Sequence, residues 1–226
     1  MFKKAFLSPF FMPVFFVLLW AMFLCYTIFF YNGNEAILAV TKEGGIIEDI
    51  SHVGYIFLIA LLLLVSNDYR DKIRSWGIYL FLAICAFLRE EGIHHHLSRT
   101  DTTPFKSRFF LNPNNALSEK IVFGIFLLVI LCAVIYLANK YAKHLVKSFF
   151  KFDTISWSIA VMCGIGVVSK YIDRFPANWR KAHGGVKLSD DVYTMFQLVE
   201  ESMEMFLPYI ACFILIQYHY LHAEKK

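Results

Sequence analysis

The sequence predicts an all-α protein, a polytopic membrane bundle of about six transmembrane helices in a single integral membrane domain over residues 1–226. Two observations favour this class. The chain is 58% hydrophobic and only 18% charged, whereas soluble domains carry about 25% charged residues. Several apolar runs also reach about 20 residues, the length that crosses a bilayer. Because backbone groups in hydrocarbon must pair with one another, runs of this length predict helices.

The first three predicted spans cover residues 10–31, 46–65 and 75–94. The basic segment Met1–Lys4 before the first span is typical of a signal peptide. However, the apolar run is longer than a signal core, and no small-x-small cleavage site follows it. We therefore expect an uncleaved first helix. The second and third spans are close to the minimum length, so their ends should lie at the level of the headgroups.

The last three predicted spans cover residues 118–140, 154–172 and 199–220. Asp153 or Thr154 is suited to cap the fifth helix, and Ser189 with the two aspartates after it predicts that the sixth helix begins above the membrane. Gly164 and Gly166 predict a close approach of the fifth helix to a neighbour.

Charge predicts the orientation of these spans. One side of the membrane receives 11 basic and 4 acidic residues, for a net charge of +7, and the other side has a net charge of −3. Short basic segments mark the cytoplasmic side, so both termini are expected to be cytoplasmic in a bacterial inner membrane. The basic residues of that side are Lys3, Lys4, Arg70, Lys72, Arg74, Lys140, Lys143, Lys147, Lys151, Lys225 and Lys226.

A basic stripe follows the fourth span. Lys140, Lys143, Lys147 and Lys151 are spaced by three or four residues, which places them on one side of a helix. Such a stripe can bind anionic lipid headgroups, at about 1 kcal/mol per basic residue. The other interpretation is that these lysines only mark the topology.

Ionisable residues gather at the predicted outer ends of four helices. Charged groups are costly in a membrane, so each is a functional candidate. Four segments that are distant in sequence would bring them to one depth on one face. The candidates are Glu48, Asp49 and His52; Arg89, Glu90, Glu91 and His94; Lys170, Asp173 and Arg174; and Glu200, Glu201 and Glu204.

The spacing of these residues is compatible with metal binding. Carboxylates and imidazoles three or four residues apart share one helix face, and di-iron and di-manganese sites in helical bundles use such pairs. The sequence therefore allows a divalent metal ion, and a single zinc with an open position is a further option. The candidate metal ligands are Glu48, Asp49, His52, Glu91, His94, Glu201 and Glu204, with Asp173 beside them.

Three interpretations of this polar cluster stay open. It can be a metal or acid–base catalytic site, a structural ion-pair network, or an ion or proton pathway. In the catalytic interpretation, Glu90, Glu91 and Asp173 supply acid–base groups, and Lys170 and Arg174 counter the carboxylates and hold a phosphate. The spans have few ionisable residues in their inner halves, which argues against a pathway through the membrane.

The leading functional hypothesis is a membrane enzyme that acts on a lipid or lipid-linked substrate. The alternative is a non-enzymatic sensor, scaffold or partner subunit whose cluster is a structural ion-pair network. Expected partners are membrane lipids, with a lipid-linked substrate or another membrane protein. Nucleic-acid binding is not expected, because the basic stripe faces a membrane.

Two short motifs carry a family resemblance. The segment from Glu43 to Glu48 reads E-x-G-x-x-E before the second span, and the acidic pair Glu90-Glu91 ends the third. This pattern resembles a loose group of uncharacterised multi-pass bacterial inner-membrane proteins. The resemblance implies a location in the inner membrane and no particular activity.

Overall fold

A computed structural model describes residues 5–42, 44–65, 73–92, 104 and 107–223. These residues form helices joined by turns, and the described ranges contain no strand. In chain order the helices are α1 (Phe11–Phe30), α2 (Asn34–Thr41), α3 (Ile46–Val65), α4 (Ile73–Glu90), α5 (Ser107–Leu111), α6 (Leu117–Phe149), α7 (Thr154–Ala182) and α8 (Asp190–Ala223). The predicted all-α class is confirmed for this part of the chain.

Four of the described segments are long and apolar enough to cross a membrane. They are Phe11–Phe30, Asn34–Leu64, Leu117–Phe149 and Thr154–Ala182. The chain thus has the length pattern and composition of an integral membrane protein. The third and sixth predicted spans, in α4 and α8, are more polar. Three charged residues, Arg74, Arg89 and Glu90, fall within the 18 residues of α4, and α8 includes three glutamates.

Several helix ends differ from the predicted span ends. α6 continues past the predicted span end at residue 140 to Phe149, which confirms the helix on which the basic stripe was placed, whereas α7 continues to Ala182 instead of ending near residue 172. The reason is that charged residues end the hydrocarbon-compatible part of a helix without ending the helix itself, because Lys and Arg are good helix formers. α7 even runs through Pro176.

The predicted helix starts agree better with the structure. Asp153 caps α7, because its carboxylate accepts a hydrogen bond from the backbone N–H of Ser156 at 2.9 Å. α8 begins at Asp190, directly after Ser189, as the capping pattern predicts. Local capping chemistry is readable from sequence because donor and acceptor lie within one helical turn.

The chain divides into two compact units. The first consists of residues 1–58 and 147–226, and the second of residues 59–146. The sequence-based prediction of a single membrane domain stays a prediction.

In the first unit α8 is the central helix, and it packs against α7, α2 and α1. Its buried side chains Leu198, Met205 and Ile210 meet Met12 and Phe16 of α1 in the core. Further core residues are Ile37, Val40, Ile47, Ile165 and Phe206. Outside this core, many large apolar side chains of the chain are exposed, as expected where lipid is the solvent.

Polar contacts fix the helix directions in this unit. Ser158 contacts Gln217, and Ser169 contacts Glu204, so α7 and α8 run antiparallel. On α1, Trp20 donates a hydrogen bond to Ser202, which lies N-terminal to the α8 residue Gln217 that meets Phe6. α1 therefore also runs antiparallel to α8.

A buried hydrogen-bond network lies at one end of this bundle, here called the Gln217 end. Gln217 is fully buried. Its amide nitrogen donates to the carbonyl of Phe6 at 2.9 Å, and its amide oxygen accepts from the Ser158 hydroxyl at 2.7 Å. Nearby, the Thr154 hydroxyl donates to the carbonyl of Leu7. These bonds hold the segment before α1 to α7 and α8.

Replacing Gln217 by leucine should therefore lower the free energy of unfolding by about 1–2 kcal/mol, because it leaves a buried hydroxyl and a buried carbonyl without a partner. The measurement is unfolding of the purified protein by SDS in mixed micelles. Gln197→Leu is the matched control on the same helix. In the described part of the chain the Gln197 side-chain oxygen is buried without a hydrogen-bond partner, so its removal should be neutral or stabilising. Equal losses in both variants would contradict the prediction.

The second unit has its own polar contacts. Lys140 and Tyr141 of α6 both donate to the Ser75 hydroxyl of α4, and the indole of Trp76 donates to the carbonyl of Leu62 at 2.7 Å. Because Lys140 is held in this way, it differs from the other lysines of the predicted basic stripe.

Candidate functional site

The ionisable groups of α7 and α8 meet in one cluster, here called the Lys170 cluster, which consists of Ser169, Lys170, Glu200 and Glu204. The Lys170 ammonium lies 2.6 Å from a carboxylate oxygen of Glu204 and 3.9 Å from one of Glu200. The Ser169 hydroxyl donates to the same Glu204 oxygen at 3.1 Å. The Glu204 carboxylate thus accepts hydrogen bonds from the Lys170 ammonium and from the hydroxyl of its neighbour Ser169.

The local sequence explains this arrangement. Glu200 and Glu204 are four residues apart on α8, so both face the same side of the helix, and the antiparallel α7 presents Lys170 to them. The Glu200 and Glu204 side chains are only 15% and 13% exposed, whereas Lys170 is 45% exposed. Lys170 can therefore neutralise two largely buried carboxylates while part of its side chain reaches out of the bundle.

Helix α1 reaches the same level of the bundle. The Trp20 indole donates to the Ser202 hydroxyl at 2.9 Å, and Ser202 donates in turn to the carbonyl of Val199. Ser202 is fully buried and lies between the two glutamates of the cluster in sequence. Sequence reasoning missed Trp20, Ser169 and Ser202 as members of this region. In the sequence these three residues stand out only as side chains that can form hydrogen bonds within or beside an apolar run.

Helices α2 and α3 contact α8 one after the other. Asn34 donates to a carboxylate oxygen of Asp191 at 2.6 Å, and further along both helices the Tyr209 hydroxyl donates to the carbonyl of Ile50 at 2.7 Å. From the first contact to the second, the residue numbers rise on both sides, from Asn34 to Ile50 and from Asp191 to Tyr209. Ser202, Glu204 and Tyr209 span only about 10 Å of helix rise, so α1, α3 and α7 all place polar groups near one level of α8.

On α3 the predicted pair Glu48 and His52 is close. The His52 Nε2 atom lies 3.6 Å from a Glu48 oxygen, and the other Glu48 oxygen accepts from the backbone N–H of Gly44. The second contact resembles the return bond of a capping box, in which a glutamate satisfies a free N–H before the helix. Glu48 therefore stabilises the start of α3. Asp49, the third candidate on this helix, is exposed.

The other predicted site residues lie elsewhere. Asp173 and Arg174, one turn beyond Lys170 on α7, are exposed. Glu201 is half-buried on α8. Arg89, Glu90 and Glu91 belong to the second unit, where Glu91 is exposed and Glu90 half-buried. His94 lies outside the described residues.

The described residues do not assemble a metal site. Within these ranges no group of three or more His, Cys, Asp or Glu side chains is close enough together to hold a metal ion. The two carboxylates of the Lys170 cluster face the ammonium group of Lys170. This positive charge would repel a metal cation at the same place. Metal binding by Glu91 together with His94 stays a prediction, because His94 is not among the described residues.

Two shallow surface depressions lie along α1 and its flanks, away from the Lys170 cluster. One is lined by Ser8 and apolar residues between Ala5 and Leu18, and the other by Cys25, Ile28, Phe29 and Asn32. Neither includes a residue of the cluster, so neither offers it a substrate-binding cleft.

Comparison with known proteins yields no relative: no protein-family model, curated protein or solved structure matches this chain.

Proposed function

We propose that this chain is a non-enzymatic multi-pass membrane protein, a scaffold or partner subunit of a membrane complex, and that its polar cluster is a structural ion-pair network. The observation that carries the proposal is the contact of Lys170 with Glu204 and Glu200. The cation joins α7 to α8, the two helices with the most extensive contact in the first unit. An ammonium placed between two carboxylates of a neighbouring helix is the arrangement of an ion-pair network that joins helices.

Burial supports the structural role. The hydroxyl that shares Glu204 with Lys170 belongs to Ser169, which is fully buried, so a substrate cannot reach it. Glu48 caps its own helix, and Trp20 and Ser202 complete the polar contacts between α1 and α8. Glu48 thus stabilises one helix end, and the other groups hold helices together.

The topology that we propose has six spans, with both termini on the cytoplasmic side of a bacterial inner membrane. α4 would be the third span, and the apolar half of α8 would be the sixth. The helix directions within the first unit support this topology, since α1 and α7 run opposite to α8. In this orientation the Lys170 cluster lies at the outer side, and the Gln217 end lies at the cytoplasmic side.

The second candidate is an enzyme that acts on a lipid or lipid-linked substrate at the outer leaflet. One observation favours it: Lys170 is 45% exposed beside two carboxylates, so its ammonium can contact the phosphate of a lipid headgroup. In this version Glu204 is the acid–base group.

A charge swap distinguishes the two functions. In the structural proposal, Lys170→Glu combined with Glu204→Lys restores the attraction, so the double variant should recover most of the stability that either single variant loses. Membrane levels and unfolding by SDS are the readouts, with metal content of the purified full chain measured in parallel. Metal bound in stoichiometric amount by the wild type and lost in the swapped variant would contradict the structural proposal and support the enzyme.

A further inference from the structure

Exposed lysines and phenylalanines alternate where α6 ends and the chain turns into α7. We call this segment, Lys147, Phe150, Lys151 and Phe152, the basic turn. All four side chains are exposed, Phe150 to 76% and Phe152 to 56%. The sequence contains no acidic residue from Lys120 to Phe152, and the carboxylate of Asp153, which follows the turn, is bonded to Ser156 as the cap of α7.

Aromatic stacking fixes the level of the basic turn along the bundle. The Phe149 ring stacks on the Trp157 ring with centroids 4.6 Å apart, and the Trp157 indole donates to the carbonyl of Phe149 at 3.0 Å. Phe152 stacks on the same indole at 5.7 Å, and Phe10 of the segment before α1 lies 5.6 Å from it. The end of α6 is therefore held against the first turn of α7.

This level matches a membrane boundary. Asp153 caps α7, and residues 155–168, directly after the cap, contain no charged side chain. α7 thus enters the apolar layer just after the basic turn, and Trp157 takes the interfacial position that tryptophan prefers. In a membrane crossed by α7, lysines at this level would lie among the headgroups.

The backbone of the turn also favours exposure of its aromatic rings. Phe152 has φ +57°, a left-handed conformation that is uncommon for a bulky residue. In this conformation the Phe152 ring stacks on Trp157, and the residue is 56% exposed. Apolar rings beside lysines are typical of segments that insert into the interface of an anionic membrane.

We propose that the basic turn is a binding surface for anionic phospholipid headgroups in the leaflet that it faces. Lys147 and Lys151 bind the phosphates, and Phe150 inserts between the acyl chains beneath them. The pattern continues one turn earlier on α6 at Lys143, which is also exposed. Lys140 takes no part, because it bonds to Ser75 and lies over the rings of Tyr136 and Tyr141.

A photoreactive residue at Phe150 tests the proposal locally. The full chain, with p-benzoylphenylalanine at this position, is reconstituted in vesicles of phosphatidylcholine and phosphatidylglycerol, and the cross-linked lipids are quantified by mass spectrometry. We expect phosphatidylglycerol adducts to exceed the bulk lipid ratio by about fivefold or more, the effect of one lysine at a charged surface. The same probe at Val167, a 71% exposed position on α7, should return the bulk ratio.

Charge variants identify the cause of the enrichment. Lys147→Gln with Lys151→Gln should reduce the ratio at Phe150 to nearly the bulk value, whereas Lys147→Arg with Lys151→Arg should keep it. Lys181→Gln with Lys187→Gln removes the same charge from exposed positions elsewhere in the unit and should leave the ratio unchanged. A bulk ratio in the wild type, an unchanged ratio in the first pair, or no lipid adduct at Phe150 would each overturn the proposal.

Discussion

Replacing Lys170 by methionine should lower the free energy of unfolding by about 2 kcal/mol. Loss of one partner costs about 3–5 kcal/mol in a buried ion pair and under about 1 kcal/mol in an exposed one. The Lys170 cluster lies between these limits, because its carboxylates are 13% and 15% exposed and its lysine is 45% exposed. Methionine keeps the length of the apolar stem, so the change isolates the ammonium group.

The matched control for this variant is Lys181→Met. Lys181 lies on the same helix and is exposed, so its loss should change the unfolding free energy by less than about 0.5 kcal/mol. A third variant, Lys170→Met with Glu204→Gln, removes the nearer of the two carboxylate charges left behind and should recover part of the loss. The readout is SDS unfolding of the reconstituted chain. If the double variant is as unstable as the single one, the destabilisation comes from packing, and the ion-pair network has no structural role.

Sequence reasoning located the Lys170 cluster only in part. It selected Lys170, Glu200 and Glu204, because charged residues within apolar runs are conspicuous. It could not select Ser169 or Trp20, whose partners lie 35 and 182 residues away. Which of many small polar residues contacts a glutamate is decided by the packing of helices, and nothing within a single span records that packing.

The helix boundaries, too, were predicted only where the sequence of a single span determines them. α3 begins at Ile46 and ends at Val65, the predicted range, since apolar run and helix coincide there. In α6 and α7 they do not coincide, and the helices continue as charged extensions. A continuous apolar run predicts which part of a helix is compatible with lipid. Where the helix itself ends depends on residues that stop a helix, and these can lie beyond the apolar run. α6 ends at Phe149, nine residues after Lys140, the first lysine of the basic stripe.

The close-approach glycine was assigned to the wrong helix. Gly164 and Gly166 fit the small-residue pattern, yet among the residues that the structure describes a Cβ atom at either position would meet no neighbour within 4 Å. At Gly54 on α3 a Cβ atom would lie 2.7 Å from the Tyr209 ring and 2.8 Å from the Pro208 ring. Glycine spacing indicates where helices can approach, and only the arrangement of the partner helix decides where they do.

Replacing Gly54 by leucine should therefore destabilise the first unit by about 3 kcal/mol. Overpacking alone costs about 1–3 kcal/mol, and the Pro208 ring is rigid and fully buried. Displacement of Tyr209 would also break its hydrogen bond to the carbonyl of Ile50, adding about 1 kcal/mol. The higher helix propensity of leucine offsets part of this destabilisation, by about 1 kcal/mol.

Gly164→Leu provides the control with the same intrinsic change. Its helix-propensity gain is the same, but a side chain there points into open space, so this variant should be neutral or slightly stabilised. Gly54→Ala should fall between them, since its single methyl group still contacts both rings. SDS unfolding of the three reconstituted variants gives the comparison. If Gly54→Leu is as stable as Gly164→Leu, α3 does not pack against Pro208 and Tyr209. Glu48 and His52 would then lose the contact that holds them near the level of the Lys170 cluster.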